Sequence, residues 1–293
     1  MAEAGRKILQ VQFTRMLSHE NGTILGEDIE ELHDMRVATR RMRAGYDLFK
    51  DAYYREVIEP YFHGLRATGK ALGRVRDLDV FMEKARQYLK TLPEVDRGGL
   101  DPLLDAWSRK REAAREQMLA YLNSEQYQKF KQEFGAFLAA PHVSARIDND
   151  KSFGSQRVSD IAPNLIRAHL EAVYAFKPGL ANPTIKHLHA LRIAFKRLRY
   201  TIEFFRESFT EHAEECIDTI KVLQDHLGDL NDASIATVIL EEFIANWFDS
   251  HQNIHPMTAY LDVKRNELNL LIETFPDALA IFTNLEFNHI LVL

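Results

Sequence analysis

Two stretches of eleven residues place basic side chains at helical spacing, a pattern suited to binding phosphate groups. The first begins at His33 (HDMRVATRRMR) and the second at His189 (HALRIAFKRLR). At about 100° per residue, one histidine and three cations of each stretch share an arc of roughly 80° on a helix. These residues are His33, Arg36, Arg40 and Arg43, and then His189, Arg192, Lys196 and Arg199. Arg41 and Arg197 project separately from the same helices.

Like charges three or four residues apart repel one another, so each basic stripe is expected to have an anionic partner. Arginine suits phosphate because its planar guanidinium offers paired donors, and a phosphate beside histidine favours the imidazolium. The two stretches contain a single acid, Asp34, although the chain carries a net charge of −6. The alternatives are a solvated helix surface and, for His33 and His189, a buried, hydrogen-bonded position. The doubling of the pattern favours an anion site.

The positions beside each basic stripe are mostly apolar, which indicates amphipathic helices packed on a core. They are Leu32, Met35, Thr39 and Met42, and then Leu188, Leu191, Phe195 and Leu198. Glycine and proline are scarce, at 13 and 9 residues, and no segment keeps the alternation of a strand. The sequence therefore predicts an all-α protein. The clearest helices are predicted at Ile29–Tyr54, Val57–Leu72, Leu78–Leu92, Leu103–Leu122, Ile185–Phe209, Glu215–Leu227 and Ser234–Phe248.

The two stretches belong to a longer internal repeat, in which the second copy lies 156 residues after the first. The match continues downstream, where Phe49 aligns with Phe205 and Lys110-Arg111 aligns with Lys264-Arg265. A polar, turn-rich stretch separates the copies. We therefore predict a single domain over 1–293. It consists of a first half (1–140), a linker (141–155) and a second half (156–293), each half with room for about four helices.

Each copy continues into the pattern Leu-Gly-x-x-x-Asp, at Leu72–Asp77 and Leu227–Asp232. We expect the glycine to end one helix and the aspartate to cap the next. The alternative is that Asp77 and Asp232 orient nearby arginines or hold a metal.

Further basic residues near the stretches are weaker candidates for the same site, with surface salt bridges as the alternative. They are Lys50, Arg66, Arg74, Arg76, Arg111, Arg206, Lys221 and Arg265. The two halves differ in charge here. The second half has Asp225 in place of Lys70, and Asp229 in place of Arg74.

The sequence lacks the motifs of several catalytic and metal-binding classes. It contains no Gly-rich phosphate loop, no His-Glu-x-x-His and no Cys-x-x-Cys, so we predict no catalytic residue, no metal and no cofactor. His187 and His189 point apart on a helix, which argues against shared metal binding. His251 and His255 have compatible spacing but no evident third ligand. The lone Cys216 has no adjacent basic partner and is expected to be a bystander.

The overall composition limits the cellular locations and partners to be expected. The net charge of −6 argues against a protein that coats nucleic acid non-specifically. No apolar stretch approaches the roughly 18 residues of a membrane span, and the start lacks a signal-peptide core. A single cysteine suits a reducing compartment. We therefore expect a cytoplasmic protein without a membrane partner.

The repeated His-x-x-Arg-x-x-x-(Arg/Lys)-Arg-x-Arg stretches, each followed by Leu-Gly and an Asp, closely resemble the CHAD family, the histidine-containing α-helical domains. The likeness covers essentially the whole chain, and the ten basic residues of the two stretches match the family's motif. It implies two four-helix bundles related by a pseudo-twofold axis, with basic helices lining a central cavity. It also implies binding of inorganic polyphosphate without hydrolysis, and association with polyphosphate granules. The departures are Asp225 and Asn231, where the first half has Lys70 and Arg76.

Two other functions are left open by the residues. One is a metal-dependent hydrolase of polyphosphate or triphosphate, with a metal held by acidic side chains. The candidates for that role are Asp77, Asp79, Asp229 and Asp232. The other is a nucleic-acid or protein scaffolding module, although nucleic acid is the less favoured partner. The oligomeric state is open as well.

Overall fold

The computed structural model of the protein describes residues 1–141, 145–146, 153–208, 212–246 and 254–283. Over these residues the regular secondary structure is helical, with one isolated β-bridge between Tyr53 and Ala145. The prediction of an all-α protein is thus confirmed for the described part of the chain. The α-helices are α1 (Ala2–Ser18), α2 (Glu20–Leu25), α3 (Ile29–Phe49), α4 (Arg55–Lys90), α5 (Asp101–Leu122), α6 (Glu125–Ala139), α7 (Val158–Tyr174), α8 (Ile185–Phe205), α9 (His212–Ala245) and α10 (His255–Thr283).

The chain forms two compact units, and α4 contributes residues to both. The first unit comprises Met1–Val80 and the described residues of Trp107–Ile161. The second comprises Phe81–Ala106 and the described residues from Ala162 onward. The units therefore divide the chain differently from the sequence repeat, because 81–106 belong to the first half by sequence and to the second unit by packing. The boundaries of the repeat halves stay a prediction.

Several predicted features fall partly outside the described residues. These are positions 142–144 and 147–152 of the predicted linker, the end of the predicted helix Ser234–Phe248, and His251. Within the linker, the backbone N–H of Arg146 donates a hydrogen bond to the carbonyl of Ala52 at 2.8 Å.

The two helices that carry the basic stretches, α3 and α8, each have 21 residues and begin with a side-chain cap. The Asp28 carboxylate accepts a hydrogen bond from the backbone N–H of Glu30 at 2.8 Å. The Thr184 hydroxyl accepts one from the backbone N–H of His187 at 3.2 Å. Such caps satisfy backbone donors that have no partner within the helix, so they fix where each helix starts.

The apolar side of each basic helix faces a core, as the sequence predicts. All eight predicted apolar-side residues are buried, and the one polar member, Thr39, donates its hydroxyl to the Met35 carbonyl at 2.9 Å. The first unit's core includes Phe13 and Phe134 beside the α3 residues. The second unit's core includes Ile220 and Phe275 beside the α8 residues. Burial of each leucine or phenylalanine side chain stabilises the fold by about 1.5–3 kcal/mol. This burial fixes the rotation of both helices about their axes, so their basic stripes face away from the cores.

The Leu-Gly-x-x-x-Asp pattern does not separate two helices, so that prediction was wrong. α4 runs through Gly73 and Asp77 without a break, and α9 runs through Gly228 and Asp232. Over the described residues, the two helices predicted at Val57–Leu72 and Leu78–Leu92 are therefore the single helix α4, and those predicted at Glu215–Leu227 and Ser234–Phe248 are the single helix α9. Gly73 instead lies against Arg36, because a Cβ at this position would lie 3.5 Å from Nε of Arg36, at ordinary van der Waals distance. A large side chain there would displace the guanidinium.

Candidate functional site

In the first unit, the basic side of α3 lies along one face of α4. His33, Arg36, Arg40 and Arg41 are half-buried, whereas Arg43 is exposed. Arg36 donates to the Asp77 carboxylate at 3.0 Å, which confirms that Asp77 orients an arginine. Arg43 lies over Gly69 of α4, because a Cβ at Gly69 would lie 3.5 Å from Nη1 of Arg43. The result is a basic surface, which we call the α3 face, that consists of His33, Arg36, Arg40, Arg41 and Arg43. The guanidinium groups of Arg36 and Arg43 lie beside glycines of α4.

In the second unit, α8 presents the matching residues to α9. His189 and Arg197 are exposed, and Arg192, Lys196 and Arg199 are half-buried. We call this surface the α8 face. Just as Arg36 binds Asp77 on the α3 face, two members of the α8 face bind neighbouring side chains.

Those two members of the α8 face are His189 and Arg199. Nδ1 of His189 lies 2.7 Å from Oδ1 of Asn231. Arg199 donates to Gln224 at 2.7 Å and to Glu203 at 2.8 Å, and its guanidinium stands 5.0 Å from the centre of the Tyr200 ring. The Arg199–Glu203 pair is largely buried, with side chains 17% and 11% exposed. These contacts compete directly with any external anion.

His33 lies among charges of both signs. Its pKa is lowered, first by burial and then by the positive charge of Arg76, with a smaller lowering from Arg40. Glu30 and Asp34 act in the opposite direction. Nε of Arg76 is buried and has no hydrogen-bond partner among the described residues. Because buried donors are nearly always satisfied, this nitrogen lacks an acceptor that an anion could supply.

The further basic candidates fall into two groups. Lys50, Arg66, Arg74 and Lys221 are exposed, with Arg66 near the Phe62 ring and Arg74 bonded to the amide of Gln117. Apart from Arg76, which lies near His33, the remaining three candidates already have acidic partners. Arg111 pairs with Asp79 at 2.8 Å, Arg265 with Glu241 at 2.7 Å and Arg206 with Glu214 at 3.8 Å.

The acidic residues considered for a metal site also meet basic side chains. Asp77 pairs with Arg36, Asp79 with Arg111, and Asp229 and Asp232 lie 3.5 and 3.4 Å from Nζ of Lys84. Among the described residues, no group of three or more candidate metal ligands occurs.

The remaining histidine and cysteine candidates have local roles. Nε2 of His187 lies 3.2 Å from the Phe176 carbonyl. Cys216 is buried, and burial, followed by the negative charge of Glu215, raises the pKa of its thiol to about 12. A thiol with so high a pKa has little thiolate at neutral pH, in keeping with the prediction of a bystander.

Sequence inspection missed Glu203, Gln224 and Lys84. Glu203 lies four residues after Arg199, and that spacing alone favours an ion pair on a helix. Gln224 gives no such signal, because it reaches Arg199 only through the packing of α9 against α8. The same is true of Lys84, whose partners lie on a distant part of the chain.

Over the described residues the protein is all-α and carries two basic helix faces. A family model described as the CHAD domain matches residues 7–241. The chain belongs to the CHAD domain family.

Two solved structures share the fold. The CHAD domain from the plant Ricinus communis aligns with a TM-score of 0.70 at 21% identity, covering 98% of this chain and 92% of that one. PptA from Streptomyces chartreusis aligns with a TM-score of 0.70 at 17% identity, covering 96% and 99%. Comparison with curated protein sequences gave no significant match. Across the described residues, every helix is too short or too polar to span a membrane.

Proposed function

We propose that this protein binds inorganic polyphosphate and does not hydrolyse it. The carrying observation is the α3 face, where Arg36 and Arg43 lie beside glycines of α4, Arg76 adds a positive charge near His33, and Nε of Arg76 is buried without an acceptor among the described residues. A chain of phosphates offers many acceptors in a row. Each charge-assisted bond from arginine to a phosphate oxygen contributes about 1.5–3 kcal/mol when it is partly desolvated.

The aromatic residues near the basic stretches favour polyphosphate over nucleic acid. Tyr46, Phe49 and Phe205 are buried, and Phe204 packs against Tyr200. Proteins that bind single-stranded nucleic acid stack bases on accessible aromatic rings. Because the rings of Tyr46, Phe49 and Phe205 are buried, they are not accessible for stacking on bases, which favours a ligand without bases.

The proposal also includes features that the family resemblance implies. These are two bundles related by a pseudo-twofold axis, a central cavity lined by basic helices, a cytoplasmic location, and association with polyphosphate granules. A granule-associated protein needs a surface that tolerates many ligand lengths, which a row of independent phosphate contacts supplies.

Calorimetric titration of the purified protein with long-chain polyphosphate at two salt concentrations tests the proposal. If about six to eight phosphates are neutralised, log affinity should fall with log salt at a slope of about −4 to −6, because bound cations are released from the ligand. Single-stranded RNA is the control, and we expect weaker binding to it. Absence of polyphosphate binding, or tighter binding to RNA, would overturn the proposal.

The non-catalytic part has its own test. The four aspartates that could hold a metal all form ion pairs within the protein, so their carboxylates would have to leave those partners to bind Mg²⁺. We expect no phosphate release from polyphosphate or triphosphate in the presence of Mg²⁺ or Mn²⁺. Sustained release by the purified protein would show that it is an enzyme.

Binding should also take up a proton at His33. The pKa of His33 is lowered in the free protein by burial and by Arg76 and Arg40, against the opposing effects of Glu30 and Asp34. A bound phosphate stabilises the imidazolium and raises this pKa, so affinity should increase as the pH falls from about 7.5 to about 6.

Titration in buffers of different ionisation enthalpy measures the proton uptake at His33. His33→Gln removes the titrating group, so the variant should take up fewer protons and show a flatter pH dependence. Equal uptake by both proteins at about pH 6.5 would exclude His33 from the ligand's surroundings.

A further inference from the structure

The two basic faces are accompanied by opposite charges on the neighbouring helix. On α4, Lys70 and Arg74 are exposed one turn apart. The aligned positions on α9 carry Asp225 and Asp229, which are exposed as well. Positions 66, 70 and 74 form a stripe that lies roughly 60–100° around α4 from the stripe of Gly69, Gly73 and Asp77. The α3 face is therefore bordered by cations and the α8 face by carboxylates.

The equivalent arginines Arg43 and Arg199 also differ in their contacts, in a way that leaves the α3 face more accessible to an anion. Arg199 is held by Glu203 and Gln224. The position aligned with Gln224 is Gly69, which has no side chain to offer, and the position aligned with Glu203 is Asp47. Arg43 and Asp47 are both exposed, and no ion pair joins them in the described structure. Arg43 thus keeps its donors accessible, whereas Arg199 must exchange internal partners for a ligand.

The residues next to the two histidines repeat this difference. Asn231 bonds to His189 at 2.7 Å and reaches Asp232 at 3.4 Å. Its counterpart Arg76 adds a cation beside His33, whereas Asn231 is uncharged. Lys84 is a further cation of the second unit, but its ammonium group forms ion pairs with Asp229 and Asp232.

We infer that the two copies have diverged, so that the α3 face with Lys70, Arg74 and Arg76 binds the polyphosphate and the α8 face contributes much less affinity. The inference rests on the proposed function. A phosphate at the α8 face meets repulsion from Asp225 and from Asp229, which Lys84 neutralises in part, and it must displace Glu203 from Arg199. A phosphate at the α3 face must compete with Asp77 for Arg36, but it finds Arg43 accessible. It also gains the cations Lys70, Arg74 and Arg76, which have no basic counterparts in the second half.

A matched pair of single variants tests this directly. Arg43→Ala and Arg199→Ala remove the same side chain and the same charge at equivalent positions. We expect Arg43→Ala to lower the affinity for long-chain polyphosphate roughly tenfold, and Arg199→Ala by no more than about threefold. Equal losses, or a larger loss for Arg199→Ala in a protein with unchanged melting temperature, would overturn the inference.

A charge exchange provides a second test, because Arg199→Ala leaves Glu203 largely buried and could destabilise the fold. Lys70→Asp with Arg74→Asp gives the first copy the charges of the second. It should lower the affinity about a hundredfold and reduce the salt slope by about 1.4, which corresponds to two phosphate contacts. Asp225→Lys with Asp229→Arg should raise the affinity instead.

The control for the charge exchange is Lys7→Asp with Lys177→Asp, which makes the same charge change at exposed positions outside both faces. A loss in this control as large as that of Lys70→Asp with Arg74→Asp would show that net charge alone acts, and would overturn the inference. If the unaltered protein binds no polyphosphate, the proposed function fails and the inference fails with it. If it binds and the two faces respond equally, only the inference fails.

Discussion

Replacing Arg40 and Lys196 together with glutamate is expected to raise the Kd for long-chain polyphosphate by at least roughly two orders of magnitude. The two residues occupy equivalent positions, each between two other cations of its basic stripe. Each reversal removes a charge-assisted contact and places a carboxylate where a phosphate would lie. Calorimetric titration at constant salt measures the loss.

The fold should survive this double reversal. Arg40 and Lys196 are half-buried and belong to neither hydrophobic core. Helical content by circular dichroism and the melting temperature should therefore stay close to those of the unaltered protein. Lys7→Glu with Lys177→Glu is the matched control, since it changes the net charge equally at exposed sites elsewhere. Retained binding by the folded double variant would show that the ligand does not use these stripes.

The single variants of this pair connect the experiment to the divergence of the two copies. If the α3 face dominates, Arg40→Glu alone should account for most of the loss, and adding Lys196→Glu should extend it only slightly. A nearly complete loss from Arg40→Glu together with a small loss from Lys196→Glu alone would reflect unequal faces, whereas two large single losses that do not add in the double variant would reflect coupling.

The helical faces could be predicted from sequence because they depend on local periodicity. Leu32, Met35 and Met42 recur at three- and four-residue spacing, and such a pattern fixes which side of a helix is buried whatever the partner is. The basic stripes follow from the same register. The caps at Asp28 and Thr184 are also local signals.

The misassigned glycines show where local reasoning fails. Gly73 and Asp77 have the residue types of a helix end and a cap, yet both lie within α4. Their real partner, Arg36, comes from a separate helix, so its contacts depend on tertiary packing. Gln224 and Lys84 were missed for the same reason, because their partners are also set by tertiary packing. Packing likewise places residues 81–106 of the first sequence half in the second compact unit.

Two glycines of α4 should respond to alanine with opposite signs. A Cβ at Gly64 would lie 2.6 Å from Cγ of Phe130, closer than side chains approach in proteins. Phe130 is 7% exposed and stacks on Phe134 with ring centres 5.5 Å apart, so it cannot move without disturbing the first unit's core. Gly64→Ala should therefore lower the free energy of unfolding by about 1–3 kcal/mol through overpacking.

Gly73→Ala is the matched substitution in the same helix. Its nearest neighbours are Nε and Nη2 of Arg36 at 3.5 and 3.7 Å, which is ordinary van der Waals contact. Alanine favours the helix over glycine by about 1 kcal/mol, so this variant should gain stability. Urea denaturation followed by circular dichroism measures both changes. Phe130→Leu should restore part of the stability lost in Gly64→Ala, because the smaller side chain makes room for the methyl group; a Gly64→Ala variant as stable as Gly73→Ala would show that Phe130 does not confine this position.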